Sequence, residues 1–115
     1  MIEAVVQAGS DQTPYLRCGR GERVVIVLAA DAEARLQLIG RYAAECRVIA
    51  PVPREDAAPE WDTWLCGVIE GLGLEYPEVV LAPDLAAIAE RLACGCRALL
   101  GSVTTAQDED ASTAT

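Results

Sequence analysis

The chain has 115 residues, 52% of them hydrophobic and 23% charged, with 18 Asp and Glu against 9 basic residues and a formal net charge of -9. That length and composition fit one small domain with a modest core. His, Lys, Phe and Asn are absent, which excludes an imidazole base, a nucleophile-His-acid triad, a His ligand for zinc, a P-loop lysine and a Schiff base.

The acidic balance repels phosphate backbones and anionic lipid surfaces, so neither a nucleic acid nor a membrane is an expected partner. The longest apolar runs, Val24 to Ala30 and Val79 to Ala82, fall far below the roughly 20 residues that cross a bilayer. The start Met1-Ile2-Glu3 has no basic n-region, and the expected location is the cytoplasm. Absence of Lys, Asn and Phe, whose codons are AT-rich, beside abundant Ala, Gly and Arg points to a GC-rich bacterial genome. The cysteines, Cys18, Cys46, Cys66, Cys94 and Cys96, form no C-x-x-C pair. An odd number without a secretory signal argues against a disulfide framework, and Cys94-Gly95-Cys96 alone is an incomplete metal or redox site. No metal or cofactor is expected, and the thiols read as small apolar residues.

Ile2 to Val6 reads as a short strand, Gly9-Ser10-Asp11 as turn chemistry, and Pro14 to Cys18 as a second strand ending at Gly19-Arg20-Gly21; together they predict a hairpin. Val24 to Leu28 is a β-branched run without polar alternation, the pattern of a strand buried on both faces of a parallel sheet. Asp31 is a competent N-cap for a helix over 32–45, with Leu36, Ile39 and Ala43 as its apolar stripe, Leu38 and Tyr42 beside it, and Arg35 on the polar side. Arg47 to Ala50 repeats the strand signal and stops at Pro51-Val52-Pro53, before a polar loop from Arg54 to Ala58.

Pro59 opens the clearest helix, in which Trp61, Trp64, Leu65, Val68, Ile69 and Leu72 recur at i, i+3, i+4 spacing until Gly73 caps it. Glu78 to Ala82 is another buried strand. After Pro83, Asp84 is the expected cap of a third helix with the stripe Leu85, Ile88, Ala89 and Leu92. Arg97 to Leu100 predicts a last short strand. From Thr104 to Thr115 the chain holds small and acidic residues and no large apolar side chain, so it cannot repay its ordering entropy. Residues 1–103 are therefore read as the domain and 104–115 as a disordered acidic and polar tail. The alternation predicts a three-layer α/β domain, a mainly parallel twisted sheet with helices on both faces.

Over most of positions 14 to 103 the chain resembles the first half of an α/β-hydrolase. Tyr15 to Gly21 is similar to the second strand and its turn, Val24 to Ala30 to the third strand, Arg47 to Pro51 to the fourth, and Trp64 to Leu74 to the helix before the nucleophile elbow. The elbow itself would be Leu81-Ala82-Pro83-Asp84-Leu85-Ala86-Ala87. The resemblance implies a truncated hydrolase sheet with strand order 1-2-4-3-5-6. The departures fall on the functional positions. Ala29-Ala30 stands where the family carries His-Gly, and Ala82 and Ala86 stand where the G-x-S-x-G elbow has its glycines. Ala at both predicts a relaxed turn.

Asp84 occupies the nucleophile position, as in the family's haloalkane dehalogenase and epoxide hydrolase branches. A carboxylate attacks without a base, but hydrolysis of the resulting ester needs activated water, and the family's agent for that is His. Asp31 falls at the same sheet edge, where Ala30, Asp31 and Leu85 are the expected lining of a ligand crevice. Two carboxylates there favour a neutral or cationic guest over an anion. Glu55, Asp56 and Glu60, and Asp108-Glu109-Asp110, read as solvating acids, and Ser10, Ser102 and Ser112 have no His partner.

Two functions follow as expectations. One is a catalytically incompetent hydrolase-like protein that binds or assembles, as a homodimer through its sheet edge and with a neutral small molecule as possible guest. The other is an ester, epoxide or haloalkane hydrolase that uses Asp84 and is completed by a partner chain. A phosphorylated receiver domain has the right length but lacks the Lys and the acidic cluster after the first strand.

Overall fold

In a computed structural model that describes residues 2–8, 11–52 and 61–106, the continuous apolar runs lie at the centre of a six-stranded sheet of order β1-β2-β4-β3-β5-β6. The strands are β1 (Ile2–Ala8), β2 (Asp11–Gly19), β3 (Val24–Leu28), β4 (Arg47–Pro51), β5 (Glu78–Leu81) and β6 (Ser102–Thr105). β1 and β2 form the predicted hairpin, from Ile2 opposite Arg17 to Ala8 opposite Asp11. β2 runs antiparallel to β4, while β3, β4, β5 and β6 are parallel. β2 extends beyond the predicted Pro14 because its pairing with β1 continues to Asp11, and Pro14, which lacks an N–H, accepts the Val52 N–H through its carbonyl at 2.8 Å.

Successive side chains of a strand point to opposite faces, and in β3 both faces are covered. Ile26 and Leu28 join Val79, Leu81 and Ile49 under α2 (Trp61–Leu72) and α3 (Ala89–Gly95), with Trp61, Trp64, Leu65, Val68, Ile69 and Leu92 completing that core. Val25 and Val27 join Val48, Ala50 and Val80 under Leu38 and Ile39 of α1 (Ala32–Tyr42). The two tryptophans meet edge to face, with ring centroids 5.3 Å apart, and Trp64 Nε1 donates to the buried Thr13 hydroxyl at 3.2 Å. They are packing residues, as their spacing predicts.

The structure corrects four expectations. α1 is turned by one residue, so Arg35, Leu38 and Ile39 are buried and Leu36 is half exposed. The guanidinium of Arg35 folds back to donate to the Ala29 carbonyl at 3.2 Å, so its aliphatic stem covers the sheet where a leucine was expected. Asp84 is not a cap. Pro83 takes the first position of a 3-10 segment, Pro83–Ile88, whose N-cap is Ala82 with no side-chain bond, and the predicted single helix becomes this segment followed by α3.

Arg97 to Leu100 is not a strand. The N–H groups of Leu99 and Leu100 both donate to the Cys96 carbonyl, at 2.8 and 3.1 Å, and continue the turn after α3. Ser102–Thr105, in which Val103, Thr104 and Thr105 are β-branched, pairs with β5 instead. Thr104 and Thr105, assigned above to the tail, are therefore strand residues, and the N–H of the buried Ala106 donates to the Leu81 carbonyl at 2.7 Å. Residues 107–115, the loop with Glu55 and Asp56, Pro59, Glu60 and Ser10 lie outside the described residues.

Candidate functional site

Because β3 and β5 are adjacent and parallel, with Leu28 opposite Leu81, the segments that follow them emerge side by side at the carboxyl edge of the sheet. The Ala82 N–H donates to the Leu28 carbonyl at 2.8 Å and joins the two exits. This brings Ala30 and Asp31 to the same edge as Pro83 and Asp84, as predicted. Ala30, Asp31 and Asp84 are exposed, whereas Leu85 is buried in the core cluster with Leu81 and Leu92.

The two carboxylates are in different situations. Asp31 Oδ1 accepts the Ala34 N–H at 2.8 Å, the expected cap bond, and its backbone is extended at φ -113 and ψ 159. Asp84 lies in the first turn of the 3-10 segment and makes no cap bond. Its backbone is ordinary. Among the described residues the positive φ values belong to Tyr76 and to Gly19, Gly21 and Gly73, so the turn that carries Asp84 has none of the strain of a nucleophile elbow. The relaxed geometry is the one that Ala82 and Ala86 predict.

In an acyl-transfer site of this topology the N–H after the nucleophile stabilises the developing oxyanion. Here that group is the Leu85 N–H, and it donates to the Ala82 carbonyl at 2.9 Å inside the 3-10 turn. Proline at the head of the segment favours this tight turn, because its φ is already set for a helical start. The second structural position of interest, after β3, is equally committed: Ala29 is fully buried and its carbonyl faces the Arg35 guanidinium.

Arg35 is the residue that periodicity missed. It is buried among the apolar residues under α1, its Nε has no hydrogen-bond partner, and burial lowers its pKa while the nearby Asp31 charge opposes that shift. A helical-wheel reading assigns an arginine to the solvent face, and no sequence signal separates this register from the one turned by a residue.

The thiols also depart from the apolar reading. Cys46 and Cys96 are buried, but Cys94 is exposed, and the Cys66 thiol lies against Cys96 Sγ at 2.7 Å. Two clefts among the described residues are lined by none of Ala30, Asp31, Asp84 and Leu85. One, of about 620 Å³, runs along α2 past Gln7, Asp62, Cys66, Glu70 and Gly95. The other, of about 380 Å³, lies at the β1–β2 hairpin beside Val5, Pro14, Tyr15 and Val52. No group of three metal-ligating side chains occurs among the described residues, and no described helix is long and apolar enough to cross a membrane.

No protein-family model matches the sequence, and no curated protein matches it. Solved structures do. The serine hydrolase involved in carbazole degradation, the CarC enzyme, superposes with a TM-score of 0.74 at 21% identity, over 90% of this chain and 46% of its own. An epoxide hydrolase from Bacillus megaterium gives 0.69 at 17% identity, over 89% of this chain and 41% of its own. A haloalkane dehalogenase variant from Bradyrhizobium elkanii gives 0.70 at 17% identity, over 90% and 39%. The chain spans less than half the length of each of these structures. Over that span, from the β1–β2 hairpin to β6, it has the α/β-hydrolase fold.

Proposed function

We propose that these 115 residues form a non-hydrolytic binding or assembly module built on the α/β-hydrolase fold. The relaxed turn at Asp84 carries this reading. The Leu85 N–H is spent on the Ala82 carbonyl, the carboxylate has no strained backbone to thrust it forward, and the sequence holds no His to activate water. The module's guest at the carboxyl edge is a neutral or cationic small molecule, since Asp31 and Asp84 both face solvent there. Its self-association runs through β6, one of the two outer strands of the described sheet, in a cytoplasmic homodimer.

The exposed, uncapped Asp84 supports the second reading, a hydrolase that uses this carboxylate once another chain supplies a base. Steady-state assays on simple esters, epoxides and haloalkanes separate the two. The first reading expects no turnover above a buffer blank. Sustained turnover by this chain, lost in Asp84→Asn, overturns it.

A further inference from the structure

The cleft along α2 is lined by Cys66, whose sulfur touches that of Cys96 in the core behind it, and the proposed function uses neither thiol. The Cys66 thiol, half-buried on α2, lies 2.7 Å from Cys96 Sγ, and the Cys96 thiol in turn donates to the Asp62 carbonyl at 3.1 Å. The Gly95 carbonyl stands 3.6 Å from the Cys66 sulfur. Cys96 sits in the turn that ends α3 and is 1% exposed, whereas Cys66 opens on the cleft. One sulfur is therefore accessible and its neighbour is sheltered, the arrangement of an attacking and a resolving thiol.

We propose that Cys66 and Cys96 are a peroxide-responsive pair that closes to a reversible disulfide between α2 and the turn after α3. Closing to the bonded distance of about 2.05 Å needs a combined movement of less than about 1 Å, within the reach of side-chain rotation. The first step takes place at Cys66. Its thiolate attacks one oxygen of hydrogen peroxide, an S–O bond forms, the O–O bond breaks, and the departing hydroxide takes a proton to become water. Sulfur loses two electrons and peroxide gains them. In the second step Cys96 sulfur attacks the Cys66 sulfenic acid, the S–S bond forms, the S–O bond breaks, and the leaving hydroxide accepts the Cys96 proton as a second water.

The division of labour follows from the environment. Burial, then hydrogen bonding and charge from Cys66, push the Cys96 thiol up to about 12, so Cys96 keeps its proton until a leaving hydroxide is beside it. The cleft is lined by Asp62 and Glu70, with Asp62 paired to Arg91 at 3.4 Å. Acidic walls disfavour an anionic disulfide such as oxidised glutathione and admit a small neutral oxidant. A dithiol reductant returns the pair to two thiols by exchange through a mixed disulfide.

Once closed, the bridge ties α2 to the end of the segment Pro83–Gly95, which begins at β5 and carries Asp84. That segment is a short 3-10 turn and a seven-residue helix, with Leu85 and Leu92 as its buried anchors. Oxidation therefore restrains the element that leads into the candidate site.

The test treats the reduced full chain, at low micromolar concentration, with one equivalent of hydrogen peroxide, blocks remaining thiols and maps Arg-cleaved peptides without reduction. Cleavage separates Cys66, in 55–91, from Cys94 and Cys96, which share 92–97, so the variants make the assignment. The proposal expects the 55–91 to 92–97 link in the native chain and undiminished in Cys94→Ser, whose side chain is exposed. It expects loss of that link in Cys66→Ser and in Cys96→Ala. The linked form should also melt at least about 5 °C higher, and a dithiol should reverse the shift. A link that vanishes in Cys94→Ser overturns the proposal, as does Cys66 passing to sulfinic acid with no link in the native chain. These two arms stand even if Cys96→Ala fails to fold.

Discussion

A buried donor is judged by what it would lose without its partner, and Trp64 has one partner for its indole N–H, the Thr13 hydroxyl across the α2–β2 contact. Thr13→Val keeps the shape and removes the acceptor. Chemical denaturation should show a loss of about 1–3 kcal/mol, with little change if the indole finds another acceptor. Cys96 supplies the pH dependence. Its thiol is raised from the ordinary 9.0 to about 12, chiefly by burial, so folded and unfolded chains are both protonated below pH 9.0 and stability is intact there. Above 9.0 the unfolded chain releases the Cys96 proton and the folded chain retains it, so stability falls until about pH 12. Comparing denaturation midpoints at about pH 8 and about pH 11 should show a smaller alkaline loss in Cys96→Ala than in the native chain. Equal losses would assign the effect to other groups. Neither the Trp64–Thr13 bond nor the Cys66–Cys96 contact was legible in the sequence, because both join residues 30 or more positions apart. Asp31 was legible, since its cap bond spans three residues.

Elements announced themselves where burial was symmetric. β3, β4 and β5 carry apolar residues on both faces, so their runs read as strands without any knowledge of neighbours. β6 failed that test. Its alternating exposure leaves Ser102 and Thr104 in solvent, and the Leu99-Leu100 pair upstream offered a stronger apolar signal although Leu100 is buried from a turn. α1 shows the limit of periodicity, since a long arginine stem can replace a leucine at the sheet. Contact between elements also turns on two glycines. Gly19, with φ +84, lets the turn before β3 lie against the Ala43 and Cys46 carbonyls, and a Cβ on Gly71 would run into the Gln7 carbonyl and Val6 of β1. Gly71→Ala should therefore destabilise the chain by about 1–3 kcal/mol despite alanine's better helix propensity. A neutral or stabilising result in thermal denaturation would show that α2 can withdraw from β1 at no cost.

At the scale of the molecule, the apolar faces whose exposure motivated an assembly role are largely covered within the chain. Leu85 and Leu92 are buried, and the large apolar side chains in solvent include Ile2 and Val5 at the other end of the sheet. Among the described residues, what remains unpaired at β6 is a four-residue strand edge whose Ser102 and Thr104 are exposed. The proposed dimer thus rests on backbone pairing along β6. Sedimentation at micromolar concentration should give a dimer mass, and a monomer across that range would remove the assembly half of the proposal. The hydrolase likeness rests on the whole sheet, since about nine-tenths of the chain superposes on the CarC enzyme with a TM-score of 0.74 and on the epoxide hydrolase with 0.69. At the elbow the backbone differs in what matters for chemistry: the turn is relaxed, and its key N–H is occupied.

That difference makes covalent capture the most direct measurement. The chain is exposed to an excess of a reactive epoxide or haloalkane, quenched in acid so that any ester on Asp84 survives, and weighed intact with peptide mapping. A relaxed turn that does not thrust the carboxylate forward predicts an unmodified Asp84, identical to the untreated chain. An alkyl ester that forms on Asp84, is absent from Asp84→Asn and is then released as alcohol with recovery of the free carboxylate would mean that the carboxylate is a working nucleophile and that the non-hydrolytic account is wrong at its centre.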